Sequence, residues 1–188
     1  MSDGPVNGSA VAMSPEAAKA AMDILQIMRL LPHRFPFLLV DKVDGIHRPG
    51  GRNRVGVKIF ATKNVTISEP YFQGHFPHRP VMPGVLQLEA MAQVAALACV
   101  KPEGPKMDVA IACVDKAKFR RPVLPGDRLD ITAEITRDRG GMVIAYCEAR
   151  VDGKVVCECE LFAKMFSLVD TIEGAHEGAR DAAQGAPR

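Results

Sequence analysis

The apolar positions of this chain follow a period of two through most of its second half and lose any period in one segment near the middle. Across residues 127–138, Leu129, Ile131, Ala133 and Ile135 alternate with Asp130, Thr132, Glu134 and Thr136, which predicts a strand with one face buried. The stretches MDVAIACVDKAKF before it, and MVIAYCEARV and KVVCECELFAKMF after it, predict three more strands. Gly140-Gly141 and Asp152-Gly153 predict tight hairpins joining the last three, because two-residue turns need residues that tolerate positive φ. Upstream, Val55, Val57, Ile59 and Ala61 alternate with Arg54, Lys58 and Thr62, which predicts a strand over residues 54–65. Asp23 predicts the start of a short helix through Leu31, with Gln26 three positions on completing a capping box. Pro32 and Pro36 then force the extended passage LPHRFPF into an apolar run, LLVDKV.

The segment without period predicts a helix starting at Pro83 or Gly84, since Pro at a first helical position loses no hydrogen bond. From Val85 to Val100 its only ionisable side chains are Glu89 and Cys99, and its other polar ones are Gln87 and Gln93. A helix apolar all round is buried on all sides or spans a membrane. This one falls short of the roughly 20 residues a span needs and carries a carboxylate. The expectation is a core helix with one buried acid. Such an acid requires a partner or a raised pKa, and Gln93, one turn on, is the candidate partner. A flat sheet would cover only one side of this helix, so the antiparallel strands must wrap it, which is the α+β class.

Composition narrows the partners. Hydrophobic residues at 47% and charged residues at 24% are those of a soluble globular protein. The 188 residues suit one domain at 16–168, between small polar stretches at 1–15 and 169–188 that read as disordered tails. His176, in the second tail, reads as inert. A net charge of +2, 5% aromatics and no Trp argue against nucleic acid. Five Cys without a CxxC spacing, with Cys157 and Cys159 on one strand face, read as small buried thiols in a reducing compartment. No zinc-ligand spacing occurs, so no metal is expected, and there is no phosphate-cradling glycine loop. The start, MSDGPVNGSAVAMS, lacks the basic and apolar regions of a secretory signal. With no membrane-spanning segment predicted either, a cytoplasmic location is expected.

The candidate chemistry lies in GHFPHRPVMPGVLQLEAMAQ, residues 74–93. His75 sits in a loop stiffened by Pro77, Pro80 and Pro83, where an imidazole can be held in place. His33, His47 and His78 read as structural or solvated. Glu89 on the apolar helix is a carboxylate whose pKa burial should raise, and His75 titrates near neutrality. Gly84 would present a free first-turn N–H, at the positive end of the helix dipole, to an oxyanion developing on a carbonyl. Base, acid and oxyanion donor suit acid–base chemistry next to a carbonyl, of which elimination is one form.

With LPHRFPFLLVDKV, KNVTISEPYFQGHFPHRPVMPGVLQLEAMAQ and DKAKFRRPVLPGDRL, the chain resembles the FabZ-type (3R)-hydroxyacyl-[acyl-carrier-protein] dehydratases of bacterial fatty-acid synthesis, over about Asp23 to Ser167. The resemblance implies a hot-dog fold, with a curved sheet around a long helix. It implies that His75 and Glu89 are catalytic, that the Gly84 N–H meets the thioester carbonyl, and that no cofactor takes part. It implies a dimer whose sites each combine His75 of one chain with Glu89 of the other, assembled into a hexamer. Related dehydratase-isomerases carry Asp at the helix position, so Glu89 implies dehydration without double-bond migration.

Lys116, Lys118, Arg120 and Arg121 suit docking of an acidic acyl carrier protein by complementary charge, or else guard an exposed strand end. Phe119 is a candidate lining of the acyl channel. The competing readings are a hot-dog acyl-thioester hydrolase, which would need no His at position 75, and a non-catalytic acyl-binding protein.

Overall fold

The computed structural model describes residues 22–51, 53–100, 103–104 and 107–167. The tails at 1–15 and 169–188, and His176 with them, lie outside the described residues. In chain order the elements are α1 (Ile24–Leu30), β1 (Lys42–His47), β2 (Lys58–Asn64), a short 3-10 helix (Pro70–Gln73), α2 (Gly84–Cys99), β3 (Met107–Phe119), β4 (Arg128–Arg139), β5 (Met142–Val151) and β6 (Lys154–Ser167). The strands form one antiparallel sheet in the order β1-β2-β4-β5-β6-β3. Register shifts in β1, β3, β4 and β6 mark bulges, which bend strands and increase their twist. The sheet thereby curves around α2.

The period-two reading of β4 is borne out: Leu129, Ile131, Ala133 and Ile135 are buried, and their neighbours are not. Both hairpins form as expected, with positive φ at Gly140, Gly141, Asp152 and Gly153. The capping box of α1 is present, with Asp23 Oδ1 accepting from the Gln26 N–H at 2.8 Å and Gln26 Oε1 accepting from the Asp23 N–H at 2.9 Å.

Two expectations need correcting. The second strand begins at Lys58, not Arg54, because Gly56 takes φ +81° and turns the chain there. Val55 is left exposed in that turn, while Val57, Ile59 and Ala61 enter the core. Nor is α2 buried on all sides. Ala90, Met91, Val94, Leu97 and Ala98 pack into the core, but Leu88, Glu89, Ala92 and Ala95 are half-buried, and Val85 is 71% exposed. One stripe of an apolar helix therefore lies outside the wrap of its own sheet.

The C-terminus of α2 is closed from a distance. Arg48 donates to Ala98 O and Val100 O, and Arg54 Nε donates to Cys99 O, each at 3.0 Å. Asp138 on β4 accepts from Arg54 in turn, at 3.0 and 3.1 Å. Cationic donors on the last carbonyls satisfy them and oppose the negative end of the dipole.

Four of the five cysteines are buried free thiols, and Cys113 on β3 is exposed. Cys147 and Cys159 face each other across β5 and β6. The contact with Cys159 and burial push the Cys147 thiol well above its usual range.

Candidate active site

His75 lies just after the 3-10 helix, which a partly buried ion pair ties to β2: Lys63 Nζ donates to Glu69 Oε1 at 2.7 Å. Tyr71 O accepts from the His75 N–H and His75 O accepts from the Val81 N–H, both at 3.0 Å, so the backbone is held on both sides of the residue. The imidazole Nδ1 lies 2.8 Å from Val81 O. A carbonyl can only accept, so Nδ1 carries the hydrogen and Nε2 keeps its lone pair. Phe76 stacks on the ring at 4.0 Å between centroids. The ring is thus fixed by Nδ1, and Nε2 has no hydrogen-bond partner among the described residues.

The ring lines an open cleft of about 620 Å³ with Val81, Met82, Pro83, Gly84, Phe119, Arg120 and Arg121. Pro83 is the N-cap of α2 and offers no side-chain hydrogen bond. Among the described residues nothing accepts from the Gly84 N–H. A side chain at Gly84 would collide with the Phe119 ring, since an added Cβ would sit 2.7 Å from Cε1. Phe119, 52% exposed, borders this cleft.

Glu89 faces elsewhere. Five residues along a helix that turns 100° per residue place it about 140° round the axis from Gly84. It lines a second, narrower groove of about 220 Å³ with His33, Ala92, Ala95, Ala96, Cys99 and apolar residues of β3, β5 and β6. The structure therefore brings His75 together with Gly84, and does not bring either to the Glu89 of the same chain.

The predicted partner of Glu89 is in place. Gln93, only 1% exposed, donates from Nε2 to Glu89 Oε1 and to Phe37 O, both at 2.7 Å, and its Oε1 accepts from the Leu39 N–H at 2.9 Å. Every hydrogen-bonding direction of this amide that is used has a fixed partner, so its orientation is determined. Glu89 is half-buried, with 17% of its side chain exposed, rather than sealed in the core.

The sequence reads His33 as structural or solvated, but the structure places its Nε2 3.4 Å from Glu89 Oε1. A local signal existed: His33 stands between Pro32 and Pro36, the same stiffened setting that singled out His75. His47 ends β1 on an exposed position and His78 is exposed in the His75 loop, and neither joins the groove or the cleft. Cys99, at the far end of the groove, is pushed up to about 11 by burial, which makes it a poor nucleophile. Among the described residues no three His, Cys, Asp or Glu side chains converge as a metal centre requires.

The basic residues divide. Lys116 pairs with Glu160 at 2.7 Å, and Lys118 and Arg120 share Glu158 at 3.4 and 2.8 Å. Arg121 makes no ion pair among the described residues and borders the His75 cleft.

The FabA-like domain family model matches residues 31–160, which include the loop of His75 and all of α2. A FabZ 3-hydroxyacyl-[acyl-carrier-protein] dehydratase from Agrobacterium fabrum is 47% identical over 151 residues, covering 80% of this chain and 94% of that one. The chain belongs to the FabA-like family, in its FabZ branch. A second FabZ relative, from Anaeromyxobacter sp., is 47% identical over 159 residues, covering 81% of this chain and 96% of its own. The fold is likewise matched by a crystal structure of a hot-dog-like protein from Thermanaerovibrio acidaminovorans, with TM-score 0.55 and 19% identity over 71% of this chain and 94% of that chain. The hot-dog fold implied by the sequence resemblance is thus the one observed, and the FabZ branch is the one its motifs pointed to.

Proposed function

We propose that this FabZ-family chain removes water from a (3R)-3-hydroxyacyl thioester carried on acyl carrier protein, giving the trans-2-enoyl thioester in bacterial fatty-acid synthesis. The FabZ relatives are named for that reaction, and each aligns with four-fifths of the chain. The single observation that carries the mechanism is His75, whose Nδ1 is committed to Val81 O and whose Nε2 is free to act as a base in an open cleft.

His75 Nε2 takes the proton from the carbon next to the thioester carbonyl. The Gly84 N–H, at the positive end of α2, meets the charge that develops on the carbonyl oxygen. The electron pair forms the double bond to the β-carbon as its C–O bond breaks, and Glu89 supplies the proton with which the hydroxyl departs as water. Glu89 rather than Asp on α2 supports dehydration that leaves the double bond where it forms. No cofactor enters these steps.

Because His75 and Glu89 of one chain line different cavities, Glu89 is read as coming from a second copy across a two-fold axis. Two features support this pairing. One stripe of α2 is left partly uncovered, and β3 ends the sheet with no buried residue and an outer edge unpaired among the described residues. We read such dimers as building a hexamer, in the cytoplasm, around a domain at 16–168.

The test is incubation with a 3-hydroxybutyryl thioester, following enoyl absorbance and free thiol together. Enoyl product without thiol release is expected. Thiol release without enoyl product would instead make the chain a thioester hydrolase, and tight binding with neither would make it an acyl-binding protein.

A further inference from the structure

Glu89 Oε1 accepts one hydrogen bond and has a second side-chain nitrogen within ion-pair distance. Gln93 Nε2 donates at 2.7 Å, and His33 Nε2 lies 3.4 Å away on the same oxygen. No donor or cation among the described residues touches Oε2. The His33 ring is itself held: its centroid lies 6.0 Å from that of Phe37 at an interplanar angle of 23°, and Pro32 and Pro36 restrict the backbone on either side. Its other nitrogen, Nδ1, is buried without a partner. An N–H buried with nothing to accept it is costly, so the neutral ring carries its hydrogen on Nε2, facing Glu89. The two nitrogens come from different parts of the chain, one from α2 and one from the loop that follows α1.

We propose that His33 is a positioning residue: with Gln93 it engages Glu89 Oε1, and so leaves Oε2 as the oxygen that carries the proton to the departing hydroxyl. The proposal rests on the reading of Glu89 as the acid. Donors on one carboxyl oxygen favour its acceptor role and place the acid's hydrogen on the other. The terminal torsion of a Glu side chain is broad and roughly two-fold. Without His33 the carboxyl group turns more freely, and the protonated oxygen spends less time aimed at the substrate.

The test is steady-state kinetics on a 3-hydroxybutyryl thioester, using full-length oligomer carrying His33→Phe, His33→Gln, Glu89→Gln or His33→Phe with Glu89→Gln. His33→Phe keeps an aromatic plane against Phe37 and removes the donor; kcat should fall roughly 10- to 100-fold, as for a small misplacement of a reacting group. KM should stay within about twofold, because the lost contact is not one to the ground-state substrate. His33→Gln, whose amide nitrogen can reach the place of Nε2, should recover kcat to within about fivefold of wild type. The double variant should be no slower than Glu89→Gln alone, since His33 acts only through Glu89.

The positioning role is overturned if Glu89→Gln is inactive while His33→Phe keeps its kcat. It is also overturned if His33→Gln loses as much as His33→Phe, or if the double variant shows the full additional loss. Full activity in Glu89→Gln would remove the reading of Glu89 as the acid, and this proposal with it. Should His33→Phe fail to fold, His33→Leu is read in its place by the same criteria.

Discussion

Val81 O decides the tautomer of His75, and Gln93 Nε2 donates to Glu89 Oε1, so each proposed catalytic side chain is engaged by a specific hydrogen bond. At this scale the expected outcomes are sharp. His75→Ala removes the base and should lower kcat by at least about 100-fold, within the usual range for a general base. Glu89→Gln keeps the shape, and its carbonyl can still accept from Gln93, but it has no ionisable proton to deliver. Turnover should fall while the thermal unfolding temperature stays close to that of the parent. Near-normal rates in either variant, with matched unfolding, would sink the dehydratase mechanism. His75 and Glu89 stand out as candidates in the sequence because their signals are local: a Pro-stiffened loop and a lone acid among apolar residues. The contact of His33 with Glu89 joins the loop after α1 to the middle of α2, and no periodicity reports a contact of that kind.

At the scale of elements, α2 and the end of β3 build the cleft between them, with the Phe119 ring against the backbone of Gly84. The four basic residues there looked equivalent in the sequence, and pairing with β6 separates them. Glu160 and Glu158 partly neutralise Lys116, Lys118 and Arg120, whereas Arg121 stands at the cleft without an ion pair among the described residues. Arg121→Glu should therefore lower kcat/KM on carrier-protein substrates more than Lys118→Glu or Arg120→Glu. All three should spare small soluble thioesters, which make no contact with a carrier protein. Added salt should shrink the difference, since exposed charges are screened over about 8–10 Å at moderate ionic strength. Equal losses on both kinds of substrate would show that these side chains maintain the cleft rather than dock a partner. The start of β2 shows the opposite limit of sequence reading. The alternation through Val55 was real, but one glycine at positive φ took Val55 out of the strand.

At the scale of the whole molecule, the separation of the His75 cleft from the Glu89 groove makes a strong prediction about assembly. His75→Ala and Glu89→Ala, each inactive alone, should regain activity when co-refolded. A mixed dimer has one site with both lesions and one with neither. With random pairing about half the dimers are mixed, so roughly a quarter of wild-type activity should return. Isolated, doubly tagged mixed dimers that prove inactive would put the whole site within one chain.

The sequence by itself determined the elements and the candidate groups. A period of two specifies which face of β4 is buried, glycine pairs specify hairpins, and a helix with one carboxylate in sixteen residues marks that carboxylate for a role. These are properties of neighbours along the chain, set by backbone geometry and the cost of burying charge. Only the tertiary structure decided which of those groups meet. His33 reaches Glu89, Arg48 and Arg54 close the end of α2, Glu158 and Glu160 occupy three of the four basic residues, and the turn of α2 sends Gly84 and Glu89 to different cavities. Each of these depends on where the curved sheet carries distant segments, and that is a property of the packed whole, which local spacing does not encode.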